Sequence, residues 1–105
     1  MFVTINRIFV KPEFTEAFER LFQSRARQVD QQPGFVRNVV LRPRDPATTP
    51  YLVITFWQSR ADFETWVQSP AFQKGHARSR SLPPDAFYAP NQLETFEVLQ
   101  DTDTR

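Results

Sequence analysis

His76 is the only histidine in the chain, cysteine is absent and the single methionine is Met1. Nitrogen and sulfur ligands for a metal therefore come down to one imidazole. Zinc usually takes three or four such ligands, and a two-histidine, one-carboxylate iron site needs a second histidine, so one chain can build neither. Haem asks for less, because the porphyrin supplies the equatorial nitrogens and the protein adds an axial imidazole. With no second soft ligand evident, such an iron keeps one position open for oxygen, which suits chemistry better than electron transfer. The plain alternative is a surface histidine at a helix end.

The neighbouring residues bear on the choice. Gly75 removes a side chain beside His76. In a helix interior that costs about 1 kcal/mol relative to alanine, so it marks either a helix end or the close approach of something flat and large. Lys74, Arg78 and Arg80 lie on the same segment. They suit an anionic ligand such as a haem propionate, or a solvated helix face. Asn6 sits in an apolar strand, on the face that carries Phe2, Ile8 and Val10. Asparagine is disfavoured there, and burying its amide unpartnered costs about 1–3 kcal/mol. A backbone neighbour would satisfy it, and so would a ligand, since a carboxamide donates without titrating. Trp66, on a helical pattern with Phe63 and Val67, reads as core or as a cavity wall pressing on a planar ligand.

These residues need elements to position them. Phe2 to Val10 is rich in β-branched and aromatic residues and stops at Lys11-Pro12, which predicts a strand. Phe14, Ala17, Phe18, Leu21, Phe22, Ala26 and Val29 recur at steps of three and four, the period of an amphipathic helix. Its opposite face carries Glu16, Glu19, Arg20 and Gln23, and Pro33-Gly34 ends it. FVRNVVL and YLVITFW predict two strands around the proline-rich loop RPRDPATTP. YLVITFW is apolar at nearly every position, so both its faces need cover, one from helices and the other from something else, which a partner subunit could supply. Ser59, with Asp62 in the first turn, caps a short helix bearing Phe63, Trp66 and Val67. Ser69-Pro70 caps its restart in a new direction. LPPDAFYAP is long enough for a lid or a binding loop, and QLETFEVL predicts a last strand before the polar tail 101–105. The order βαββαβ, with an antiparallel sheet, is an α+β ferredoxin-like architecture.

Composition sets the outer bounds. A chain of 105 residues supports one domain, residues 1–105, with one core. Its eleven phenylalanines ask for a large apolar space, as core or as cavity. Thirteen basic and twelve acidic side chains give a net charge of +1, so no overall charge draws the protein to nucleic acid or an anionic membrane. Lack of cysteine excludes disulfides, iron–sulfur clusters and thiolate zinc sites. Neither a secretory signal nor an apolar run long enough for a membrane span is present, and a cytoplasmic protein is expected.

TINRI, PGFVRNVVL, VITFW, FETWV and SPAFQKGH, taken together, resemble the IsdG-type haem-degrading monooxygenases of the antibiotic biosynthesis monooxygenase superfamily. The resemblance runs over nearly the whole chain, to about Glu97. It matches Asn6 to an asparagine on the first strand, Trp66 to a tryptophan on the helix after the third, and His76 to an axial histidine beyond it. It implies a subunit that forms a homodimer through its sheets, as a barrel-like α+β assembly with one haem site per subunit. Haem would be both substrate and oxygen-activating cofactor, with O2 and electrons from an external reductase, and the products would be an opened ring and free iron. His76 would bind the iron, Trp66 would force the porphyrin out of plane, and Asn6 would hydrogen-bond on the oxygen side. Lys74, Arg78 or Arg80 would meet the propionates. Two other activities could use the same residues: a cofactor-independent quinol monooxygenase without haem affinity, and a haem carrier or sensor without turnover.

Overall fold

In the computed structural model, which describes residues 1–23, 29–72 and 82–103, Phe2–Ile8 forms the first strand, β1. Helix α1 at Thr15–Gln23, strands β2 at Phe35–Leu41 and β3 at Tyr51–Trp57, helix α2 at Arg60–Val67 and strand β4 at Gln92–Glu97 follow. The sheet order is β2-β3-β1-β4, with every neighbouring pair antiparallel. Each helix thus joins two parallel strands that flank a third. β3 fills the gap between β1 and β2, and β1 fills the gap between β3 and β4. This is the ferredoxin-like arrangement that the order of elements predicts.

Three boundaries differ from the sequence pattern. The strand expected to reach Val10 stops at Ile8, because the chain beyond pairs with a different partner. Val10 bridges Phe87, Lys11 N donates to Ala86 O at 2.8 Å and Tyr88 N to Phe9 O at 2.9 Å. The segment LPPDAFYAP is therefore tied along the end of β1, and Ala86 is fully buried. β4 ends at Glu97 because its ladder partner is used up at Phe2; beyond it, Val98 N reaches only Met1 O, at 3.0 Å. Of the helix expected from Phe14 to Val29, Thr15–Gln23 is α1, whereas Phe14 belongs to a 3₁₀ turn at Pro12–Phe14 and Val29 to another at Val29–Gln31. Residues 24–28 lie outside the described part.

Opposed residues of antiparallel strands share a face. Phe2, Thr4, Asn6 and Ile8 therefore stand with Trp57, Thr55, Val53 and Tyr51, and both helices cover this face. Phe18 of α1 lies 4.8 Å from the Tyr51 ring, while Phe63 of α2 lies 5.6 Å from Phe2 and 6.2 Å from Trp57. One core cluster gathers Ile8, Val10, Phe18 and Tyr51, and the second aromatic group forms around Trp57. The opposite face presents Ile5, Ile54, Val39, Phe56 and Phe96, with no helix over it among the described residues.

β2 slips register by one residue between Phe35 and Arg37. The bulge places Asn38 on the same face as Phe35 and turns Arg37 to the other, where its guanidinium lies 4.9 Å from the Phe56 ring centroid. Just before it, Gly34 has φ 80°, a conformation that favours glycine. Its carbonyl accepts from Gln58 N at 2.8 Å, and a Cβ there would overlap the Asp62 carboxylate. Asp62 is itself fixed at the start of α2. Ser59 Oγ accepts from Asp62 N at 3.2 Å and donates to Asp62 Oδ2 at 2.9 Å.

Candidate active site

Asn6 lies at the centre of β1, opposite Val53 of β3 and Leu93 of β4. α1 packs towards the Ile8 and Tyr51 end of this face and α2 towards the Phe2 and Trp57 end, so the middle of the strand falls between their footprints. The Asn6 side chain is half-buried, and among the described residues its carboxamide has no hydrogen-bond partner. No backbone neighbour satisfies it, which leaves both of its ends open to a ligand.

Trp66 is half-buried on α2, and its ring meets that of Phe72 edge-on at 5.7 Å. The expected helix restart positions that pair. Ser69 Oγ donates to Trp66 O at 2.7 Å and accepts from Phe72 N at 3.2 Å, and residues 70–72 are helical. Asn6 and Trp66 thus belong to the sheet and to the helix laid on the same face, with no hydrogen bond or ring contact between them among the described residues. His76, Lys74, Arg78 and Arg80 lie outside the described residues.

On the α1 side, two positions along the strand from Asn6, Ile8 opens into a cleft of about 540 Å³ between α1 and residues 82–91. Ile8, Phe18, Leu21, Leu82, Phe87 and Tyr88 line it, with Asn91 at its polar edge. Its volume falls in the range of small-molecule and cofactor sites, roughly 300–1,000 Å³. Leu82 and Phe87 were not singled out by sequence reasoning. Their signal was the apolar content of LPPDAFYAP, a segment that forms a wall here and is hydrogen-bonded in place.

Beside Phe18, the Tyr51 hydroxyl donates to Glu19 Oε2 at 2.5 Å, and Arg42 donates to the same carboxylate through Nε at 2.8 Å and Nη2 at 2.5 Å. The bonds from Arg42 and then Tyr51 hold the Glu19 carboxyl at a pKa of about 2, against the opposing effect of burial. Burial, followed by the bond to Glu19, pushes the Tyr51 hydroxyl up. Among the described residues, no three His, Cys, Asp or Glu side chains converge on a metal position, and no helix is long and apolar enough to cross a membrane.

Comparison with known proteins agrees with this fold. A haem oxygenase (mycobilin-producing) of Mycobacterium tuberculosis is 36% identical over 99 residues, covering 94% of this chain and 90% of that protein. The structure of the haem-degrader MhuD of Mycobacterium tuberculosis, with two haems bound in its active site, superposes with a TM-score of 0.75 at 31% identity, covering 96% of this chain and 98% of that one. SnoaB, a cofactor-independent oxygenase from Streptomyces nogalater, solved as a mutant, superposes with a TM-score of 0.76 at 26% identity, covering 98% and 97%. The sequence profile of the antibiotic biosynthesis monooxygenases matches residues 1–78, a stretch that carries β1, α1, the β2–β3 pair and α2 and whose sequence includes His76. With fold and profile in agreement, the chain belongs to the antibiotic biosynthesis monooxygenase family.

Proposed function

We infer that this protein is a haem-degrading monooxygenase, which binds haem, opens the porphyrin oxidatively and releases iron. The observation that carries this reading is the half-buried, unpartnered carboxamide of Asn6, set between two helices on an aromatic-lined face, in a chain 36% identical to a haem oxygenase. The described residues fit such a group. They offer an apolar cleft beside Ile8 and, two positions along the same strand and outside its lining, the free carboxamide of Asn6.

Haem, when bound, supplies the iron that activates O2 and the carbon skeleton that is oxidised, with electrons from an external reductase. His76 would hold the iron, and Lys74, Arg78 and Arg80 would pair with the propionates. Trp66 would press on one face of the macrocycle, its ring steadied by Phe72. The Asn6 amide would donate a hydrogen bond into the site at any pH at which the fold stands. Phe18, Leu21 and Phe87 would exclude water, and polar contacts in the site strengthen as the local dielectric falls. The reading carries with it one domain over residues 1–105, a cytoplasmic setting, and a homodimer whose second copy covers the open face of the sheet.

The test is a haemin titration followed by visible absorption, then ascorbate in air with catalase present. A saturable Soret band that bleaches as iron is released is the expected result, and His76→Ala should lose both band and turnover while remaining folded. If His76→Ala degraded haem at the normal rate, the axial assignment would fall. A band that outlasts the reductant would make the protein a carrier. No saturable band would move it toward the cofactor-independent oxygenases, to which its likeness to SnoaB also points.

A further inference from the structure

The face of the sheet beneath the helices is polar along one whole row. Thr95, Thr4 and Thr55 stand opposite one another on β4, β1 and β3, and the bulge in β2 brings Asn38 opposite Thr55. The neighbouring row on one side is Phe2, Trp57 and Phe35, and on the other Leu93, Asn6, Val53 and Val40. Thr4 and Thr55 are 5% and 8% exposed, so their hydroxyls sit in the same layer as the aromatic core.

Hydrogen bonding in this row has a direction. Asn38 Nδ2 lies 3.3 Å from the Ile54 carbonyl oxygen and 2.9 Å from Thr55 Oγ1. A backbone carbonyl only accepts, so the group of Asn38 that faces β3 must be the NH2. Thr55 Oγ1 accepts from it, and the Thr55 proton is left to point elsewhere on that face, where Thr4 and Asn6 stand. Thr55 and Asn6 are diagonal neighbours on paired strands, roughly 7–8 Å apart, and Thr4 and Asn6 are separated by about 7 Å along β1. One water can span such a gap with a hydrogen bond at each end. Among the described residues, neither the Thr4 hydroxyl nor the Asn6 carboxamide has a partner.

We propose that Asn38, Thr55 and Thr4 are positioning residues that set which way the Asn6 carboxamide points, through one water bound among them. Asn38 donates to Thr55, Thr55 donates to the water, with Thr4 completing its coordination, and the water donates to Asn6 Oδ1. The Asn6 NH2 then faces the space between the two helices as a donor. Without this polarity the amide can turn over and present its acceptor, the wrong end for an anionic ligand. The inference rests on the reading that Asn6 serves a haem site.

Cyanide affinity of the ferric haem complex, read from the Soret shift, tests it without turnover, because an anionic ligand registers the loss of a nearby donor. Thr55→Val should bind haemin as the unaltered protein does and bind cyanide about tenfold more weakly, the scale of one hydrogen bond. Thr55→Ser should restore cyanide binding. Asn38→Asp, whose carboxylate would accept from Thr55 and reverse its proton, should weaken cyanide as Thr55→Val does. Unchanged cyanide affinity in Thr55→Val overturns the proposal, and so does equal weakening in Thr55→Val and Thr55→Ser, which would mean packing. If the unaltered protein failed to bind haemin, the proposed function would fall and this inference with it. Haemin binding with no effect of Thr55→Val would remove the inference alone.

Discussion

Three distant parts of the chain meet at the carboxylate of Glu19, which takes hydrogen bonds from Tyr51 and Arg42. Because its folded pKa, about 2, lies below the ordinary 4.5, the charged form is favoured in the native state. The resulting stability is complete above the ordinary value and is lost as pH falls from about 4.5 toward 2. Glu19→Gln should therefore melt earlier than the unaltered protein at neutral pH, and the two should converge in acid. Thermal melts across that window check it, and a gap that persisted at low pH would refute the linkage. Sequence reasoning placed Glu19 on the solvent face of the helix, because the helical period sees only near neighbours. Its partners, 32 and 23 residues away, come into view only with the sheet. Asn6 was legible for the opposite reason: an amide inside a β-branched and aromatic run is anomalous locally. The Thr4, Thr55 and Asn38 row was not, since threonine is at home in strands and the slip that brings Asn38 to that face leaves no mark in FVRNVVL.

At the scale of elements, the turn into β2 and the start of α2 form one joint. Gly34 accepts from Gln58 and leaves room for Asp62, while Asp62 and Ser59 cap the helix that holds Phe63 and Trp66. Gly34→Ala would combine a left-handed backbone with a side chain where the Asp62 carboxylate stands. It should cost at least about 1–3 kcal/mol of stability and should loosen α2 in hydrogen exchange more than α1. Equal protection of the two helices in the variant would separate the turn from the cap. Strand β3 and the Ser59 cap match their sequence signals, since apolar runs and capping residues act over a few positions. The ends of β1 and β4 do not, because each ends where its partner does.

On the scale of the molecule, the sheet has one face under helices and one that the described residues leave uncovered, with an apolar centre at Ile54 between Ile5 and Val39. Ile54→Asp should convert the proposed dimer to a monomer in sedimentation experiments while far-ultraviolet dichroism stays unchanged; a variant that still sedimented as a dimer would place the interface elsewhere. The interleaved strand order also bears on how the molecule is made. β1 is one of the two central strands, and it is made before its neighbour β4, from which β2, β3 and both helices separate it along the chain, with Met1 O bonded to Val98 N. A nascent chain therefore carries an open, apolar strand edge until residues 92–97 have emerged. Until then it resembles an unfinished sheet seeking any strand to complete it. Products cut short before Gln92 should be aggregation-prone fragments, and the pairing of β1 with β4 makes the emergence of residues 92–97 the step that closes the sheet.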